Sequence, residues 1–251
     1  PEGNPTKTQG SMIPMRHREG HQIDPVFGEL ITYEPSLQCL RDMGYEKIHF
    51  TDGYIISKPP GGPRLFWHYD WHHFDQPISW GEEPPQLFFM YYFSDTSRQN
   101  GCLRVVPESH RRHTRLHDLI SGSHNDDLAG GKRMDRPEFQ DFEGEIDLPV
   151  KAGDLLIGDA RLLHAAHANQ SDRNRSLVTL WYQVHLDQMS PGLRANMGVK
   201  AGEPPLSWPA DLRAKVMGLF PDYDPTAERP KRQLYDPQKF PFLADQEAAR
   251  A

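Results

Sequence analysis

The chain has 251 residues, 37% of them hydrophobic and 10% aromatic, with a net charge of −7. That length suits one all-β domain with a buried core, and the acidic balance argues against nucleic acid as partner, since phosphate binding needs a concentrated basic surface. No apolar run approaches the ~20 residues that span a bilayer, and Cys39 and Cys102 lack CxxC spacing, so a cytoplasmic protein with no membrane partner and no disulfide framework is expected.

Residues 1–21 are rich in Gly, Pro, Thr and charge without periodicity, and read as an arm or loop. The first residue is Pro1 rather than Met, as in a processed or incomplete chain. Pro35–Met43 sets Leu37, Leu40 and Met43 at helical spacing, with Gly44 as the stop. From Lys47 the pattern changes to short β-rich runs. Tyr54–Ser57 is a strand ended by Lys58-Pro59-Pro60, because consecutive prolines remove ladder donors. Leu65–Trp71 is the next. Gln86–Phe93 is apolar throughout, as a strand buried on both faces should be. An Asn100-Gly101 turn leads into Cys102–Val106. The run His110–Arg115 is basic and reads as a solvated loop, with contact to an anionic substrate as the alternative. Residues 121–144 are polar and without alternation, a long excursion of the kind that forms lids or binding loops. Strands return at Ile146–Val150, Leu155–Ile157 and Ser176–Leu186, and Pro209–Leu219 is a short helix in an otherwise proline-rich tail. Many short strands with Gly/Pro turns indicate an antiparallel sandwich or barrel.

Within the second strand, Trp67-His68-Tyr69-Asp70-Trp71-His72-His73-Phe74 sets an imidazole and a carboxylate two residues apart, on one face of an extended chain. That is half of a metal site. Two histidines and one carboxylate on one face of an iron leave the opposite positions open for oxygen and a co-substrate. His164 follows the strand at Leu155–Ile157 and supplies a second imidazole. Arg175 stands eleven residues beyond it, and its planar fork matches a carboxylate with two hydrogen bonds.

These residues resemble the phytanoyl-CoA dioxygenase-like branch of the Fe(II)/2-oxoglutarate-dependent dioxygenases. The resemblance runs through Tyr54–Pro60, His68–Phe74, Asn100–His110, Gly153-Asp154, His164, Asn169 and Arg175, in the family's order and spacing. It implies an all-β core with flanking helices, a double-stranded β-helix (cupin-like jelly roll), with Fe(II) held by His68, Asp70 and His164 and the distal carboxylate of 2-oxoglutarate on Arg175. It further implies O2 as oxidant, release of succinate and CO2, and oxidation, most simply hydroxylation, of a small-molecule substrate. One dioxygenase domain over 1–251 is expected, with its core at about 47–187, an arm and helix over 1–46 and an extension over 188–251.

The pattern departs from the family at Pro107-Glu108, where Pro-Gly is usual, at Ala166, where Ser is common, and at Leu177, two residues after the arginine. A hydroxyl partner for the cosubstrate must come from elsewhere, and Tyr54 is the candidate, with Thr179 in reserve. Among thirteen histidines, His73/Asp75 and His185/Asp187 repeat the triplet, and His167 competes with His164. Family position favours His68/Asp70 and the eleven-residue step favours His164, leaving His72, His73 and His167 as supporting or substrate-facing groups. Met90 and Tyr92 belong to the core by default, and could line the cosubstrate pocket; Trp71, Trp80 and Arg111-Arg112 could border substrate. Rival readings are a jelly-roll metal or small-molecule binder without turnover, a zinc hydrolase on the same ligands, and desaturation, cyclisation or epimerisation by the same cofactor chemistry.

Overall fold

The computed structural model describes residues 4–6, 8, 10–120, 128, 130–131 and 133–239. Strand pairing starts earlier than composition suggests. In the segment expected to be an arm, β1 (Asn4–Thr6) pairs with β2 (Gly10–Pro14), and β2 pairs with β3 (His49–Lys58). Local pattern is weak there because the strand is specified by its ladder to a distant neighbour. Helices α1 (Val26–Ile31) and α2 (Glu34–Asp42) intervene, and α2 buries Leu37 and Leu40 as its spacing predicts.

The chain continues through β4 (Leu65–His68), β5 (Leu87–Tyr92), β6 (Leu103–Val105), α3 (Arg115–Leu119), β7 (Ile146–Leu148), β8 (Leu155–Asp159), β9 (His164–Ala166) and β10 (Arg175–Gln183). Two helices, α4 (Pro191–Ala201) and α5 (Ala210–Met217), follow. Strands β3, β10, β5 and β8 are neighbours in one sheet, extended by β2 and β1, and β4, β9, β6 and β7 form the other. Every ladder is antiparallel. From β3 onward the chain alternates between the two sheets, except where β6 pairs directly with β7, which is the double-stranded β-helix, or jelly roll.

Alternation sorts the side chains. On β5, Phe88, Met90 and Tyr92 meet Leu103, Val105 and Leu177 between the sheets. Leu87, Phe89 and Tyr91 point the other way, into a second core with Ile31, Leu37, Leu40, Trp208 and Val216 from the helical segments. This explains the uninterrupted apolar run of β5. Each fully buried ring contributes about 2–3 kcal/mol relative to exposure. A Cβ at Gly158, the ladder partner of Phe88, would run into the Phe88 ring. Its absence lets that ring lie 5.2 Å from His164, centroid to centroid.

Of the excursion over 121–144, the described part packs onto the four-stranded sheet. Arg104, fully buried, lies 4.6 Å over the Trp67 ring and pairs with Asp141 and Glu145, while Trp67 Nε1 donates to Gln140 O at 2.9 Å. Residues 121–127, 129 and 132 of that excursion lie outside the described residues. The tail returns to the site: Gln233 N donates to His72 O, and Phe74 N donates to Gln233 O. No helix among the described residues is long and apolar enough to cross a membrane.

Candidate active site

His68 ends β4. A bulge between Leu65 and His68 turns both side chains, three apart in sequence, into the space between the sheets. Asp70 is not held by strand periodicity, as its spacing suggested, but by a bend: the backbone N–H groups of Asp70 and Trp71 both donate to Ala160 O, at 2.8 and 2.9 Å. His164 opens β9 directly opposite His68 in the ladder. That strand has only three residues, His-Ala-Ala, too short for a pattern to reveal.

His68 Nε2 lies 3.7 Å from Asp70 Oδ1, and His164 Nε2 lies 3.9 Å from Asp70 Oδ2. Both imidazoles are buried. His68 Nδ1 contacts Phe66 O at 2.9 Å and His164 Nδ1 contacts Leu162 O at 3.0 Å. A carbonyl oxygen can only accept, so each Nδ1 carries the proton and each Nε2 presents its lone pair toward Asp70. Trp181 Nε1 donates to Asp70 Oδ2 at 2.9 Å, which fixes the orientation of the carboxylate between the two imidazoles. Two imidazoles and one carboxylate with an open side are the donor set of non-haem Fe(II) sites, and the residues present fit such an ion.

The three groups stand at one end of an inner cavity of about 90 Å³. Its walls are mostly apolar: Ile56, Leu65, Met90, Leu103 and Leu177. Its far end is cationic. Arg175 and Lys58 are ladder partners on β10 and β3, both almost fully buried, and burial pushes both pKa values down, with the charges of Arg175 and Arg104 adding to the shift of the lysine. Lys58 Nζ donates to Pro63 O and His167 O, each at 2.9 Å. The Arg175 guanidinium has no hydrogen bond or ion pair to any described residue, and its Nε is buried without a partner. An unpaired buried cation costs several kcal/mol. Such an end wall is suited to a bound anion. Two hydroxyls face the same space: Thr179 Oγ1, buried without a partner, and Tyr92, whose pKa burial raises to about 12.

An outer cavity of about 220 Å³ adjoins the inner one, sharing Met12, Asp70 and Trp181. Asp52, Tyr54, His72, Gln86 and Lys200 complete it. Tyr54 is in this outer cavity, not beside Arg175, because the register sets Lys58 opposite Arg175 and Tyr54 two alternations away, opposite Thr179. Met90 and Tyr92 line the inner cavity as well as the core. Trp71 is buried with its Nε1 on Ser79 Oγ at 2.8 Å and lines neither cavity. Arg111 and Arg112 pair with Glu82 and Glu108 at the surface.

The competing histidines are accounted for. His73 packs edge-on against Trp71, and burial lowers its pKa to about 4. His185 packs on Tyr45. His167 turns away from the triad, with Nε2 2.6 Å from Asp147 Oδ1, and Cys102 joins these two in a second cluster. Arg98 is ion-paired with that Asp147, and burial raises the Cys102 thiol to about 11, so this cluster is already charge-compensated. Lys58, Trp181, Gln86 and Lys200 were not singled out by sequence. Alternation from Arg175 through Leu177 and Thr179 would have reached Trp181; nothing in the tail marks Lys200.

A model of the phytanoyl-CoA dioxygenase (PhyH) family matches residues 14–177. The chain belongs to that family. Among curated members it is 25% identical over 170 residues to a phytanoyl-CoA dioxygenase domain-containing protein 1 homolog of Caenorhabditis elegans, covering 64% of this chain and 55% of that protein. It is also 25% identical over 163 residues to a probable alpha-ketoglutarate-dependent hypophosphite dioxygenase of Stutzerimonas stutzeri, covering 64% and 54%. The chain thus spans about half the length of the curated relatives it matches. Among solved structures, HygX from Streptomyces hygroscopicus with nickel and 2-oxoglutarate bound superposes with a TM-score of 0.51 at 18% identity, over 69% of this chain and 70% of that one. The jelly roll of this phytanoyl-CoA dioxygenase family member is therefore shared with a 2-oxoglutarate-binding protein.

Proposed function

We propose that the protein is an Fe(II)- and 2-oxoglutarate-dependent dioxygenase that hydroxylates a small organic molecule. One observation carries this reading: the lone pairs of His68 and His164 meet the Asp70 carboxylate at one end of a cavity whose other end is the unpaired, buried Arg175. A metal binder without turnover, or a zinc hydrolase, has no use for that cation.

His68, Asp70 and His164 would hold the iron, and Arg175 the distal carboxylate of 2-oxoglutarate. Fe(II) with 2-oxoglutarate and O2 supplies the oxidising power, with succinate and CO2 as co-products. Arg175 offers a fixed fork of donors to the carboxylate, and Thr179, four residues further along β10, lines the same cavity. Lys58 reinforces the positive potential while its own donors stay on the Pro63 and His167 carbonyls. Trp181 fixes the orientation of Asp70 through its second oxygen. The apolar walls exclude water, which strengthens each of these interactions. Family members matched in sequence and the nickel- and 2-oxoglutarate-bound structural neighbour support the same assignment.

The test is succinate formation by anaerobically purified, iron-loaded protein across a panel of small organic molecules. His68→Ala, Asp70→Ala and His164→Ala should each lower metal content and cut 2-oxoglutarate turnover by roughly 10³-fold or more. Undiminished decarboxylation in the His68→Ala or Asp70→Ala variant overturns the assignment.

A further inference from the structure

The outer cavity holds a second cation that the proposed cofactor site does not use. Lys200 lies on the last turn of α4, in the segment after the jelly roll, and lines the cavity that Asp70 also lines. The Lys200 backbone is tied down, because its carbonyl accepts from Arg16 Nη1 at 3.1 Å. Its side chain is not: no hydrogen bond joins Nζ to any described residue, and no carboxylate comes within ion-pair distance. Gln86, only 6% exposed, lines the same cavity, and its side chain has no hydrogen-bonding partner among the described residues.

The charges around Lys200 come from four elements. Asp52 on β3 and Asp70 after β4 are negative; Arg16 after β2 and Arg232 in the tail are positive. With a divalent ion on His68, Asp70 and His164, the Asp70 charge is committed to the metal. Asp52 already has Arg16 beside it and a hydrogen bond from Gly53 N at 2.9 Å. Arg232 is in contact with His72, Nη2 to Nε2 at 3.2 Å. What remains free on the wall is one ammonium and one primary amide, the donor pair that recognises an oxyanion.

We infer that Lys200 and Gln86 anchor a carboxylate or phosphonate group of the substrate, so that the molecule oxidised at the His68, Asp70, His164 centre is a small organic acid. This rests on the functional reading above. The anchor and the metal ligand Asp70 line one cavity, which puts the reactive carbon of the substrate a short reach from its acid group. Burial gives the contact its strength, since a cation taken out of water without a partner gains most from an anion that enters with it.

The experiment is binding of three matched probes, butyrate, propylphosphonate and the neutral butyramide, to the full chain loaded with nickel(II) and saturating 2-oxoglutarate, followed by calorimetry. Saturating 2-oxoglutarate occupies Arg175, so any acid that binds does so elsewhere. The expected result is that one or both acids bind and the amide does not, and that Lys200→Met weakens the acid roughly 10- to 100-fold while Lys200→Arg retains most of the affinity. Whichever acid binds more tightly identifies the oxyanion. Equal binding of amide and acid, acid binding unchanged in Lys200→Met, or no acid binding overturns the inference. Melting temperatures matching wild type in both variants exclude loss of fold as the cause. If nickel-loaded protein fails to bind 2-oxoglutarate at all, the dioxygenase reading has failed instead, which the first titration shows by itself.

Discussion

The inner and outer cavities meet at Asp70 and Trp181 and each contains an unpaired cation, yet they are built differently. The inner one is walled by apolar side chains and closed by two ladder partners, Arg175 and Lys58. The outer one is more polar than the inner, and its cation comes from a helix that follows the last strand. Register fixes the first to within a residue, because a slip of one position would turn Arg175, Leu177, Thr179 and Trp181 to the opposite face together. Packing of α4 sets the second, and packing tolerates substitution more readily than a ladder does. The inner site is accordingly suited to an invariant ligand and the outer one to a variable one.

That contrast is sharpest at Arg175. Arg175→Met should weaken the apparent affinity for 2-oxoglutarate by about 10²-fold, or roughly 2.7 kcal/mol, while stabilising the ligand-free protein by roughly 1–3 kcal/mol, because a buried cation without a partner has been removed. Thermal melts with and without 2-oxoglutarate read both effects. A variant that lost stability and kept its affinity would place the anion elsewhere.

The outer cavity should reveal itself by pH. Burial raises the Asp52 carboxyl from 3.8 to about 6, so the folded state holds this proton more tightly than the unfolded one. Between those two values the folded protein carries more protons than the unfolded, and stability therefore falls as pH rises through the window, by up to about 3 kcal/mol from this group. Urea midpoints measured across that range should show the decline, and Asp52→Asn should flatten it.

At the junction, Trp181→Phe removes the hydrogen bond to Asp70 Oδ2 and should lower metal affinity by about tenfold, as loss of a supporting contact to a ligand does. Competition with a chelator measures it. The smallest effects should separate the two hydroxyls: Thr179→Val should raise the KM for 2-oxoglutarate a few-fold, roughly 1 kcal/mol, whereas Tyr54→Phe, on the outer side, should leave it unchanged and alter only the KM of the substrate. A reversed pattern would move the division between the cavities.

Much of the site was legible because its chemistry is carried by residue types at short spacings. His68-Tyr69-Asp70 and the step from His164 to Arg175 stand out without coordinates. Even so, the reason for the first was different from the one spacing supplied, since Asp70 is aimed by two backbone hydrogen bonds to Ala160 and not by strand alternation. Strands β1, β2 and β9 escaped detection, the first two for want of pattern and the last for want of length, and α1, α3 and α4 were not foreseen. Tyr54 could not be assigned to a cavity before the pairing of β3 with β10 was known.

By itself the sequence determined the antiparallel β core, through apolar runs cut by Gly and Pro, and the candidate donor set, because imidazole, carboxylate and guanidinium are few and their order is readable. Only the tertiary structure decided which ring nitrogen of each imidazole faces a carbonyl, which cations lack a partner, and that Lys200, from a helix with no motif, lines the same cavity as Asp70. Those are properties of distance and burial, and they arise only when segments remote in the chain are brought together and water is excluded between them.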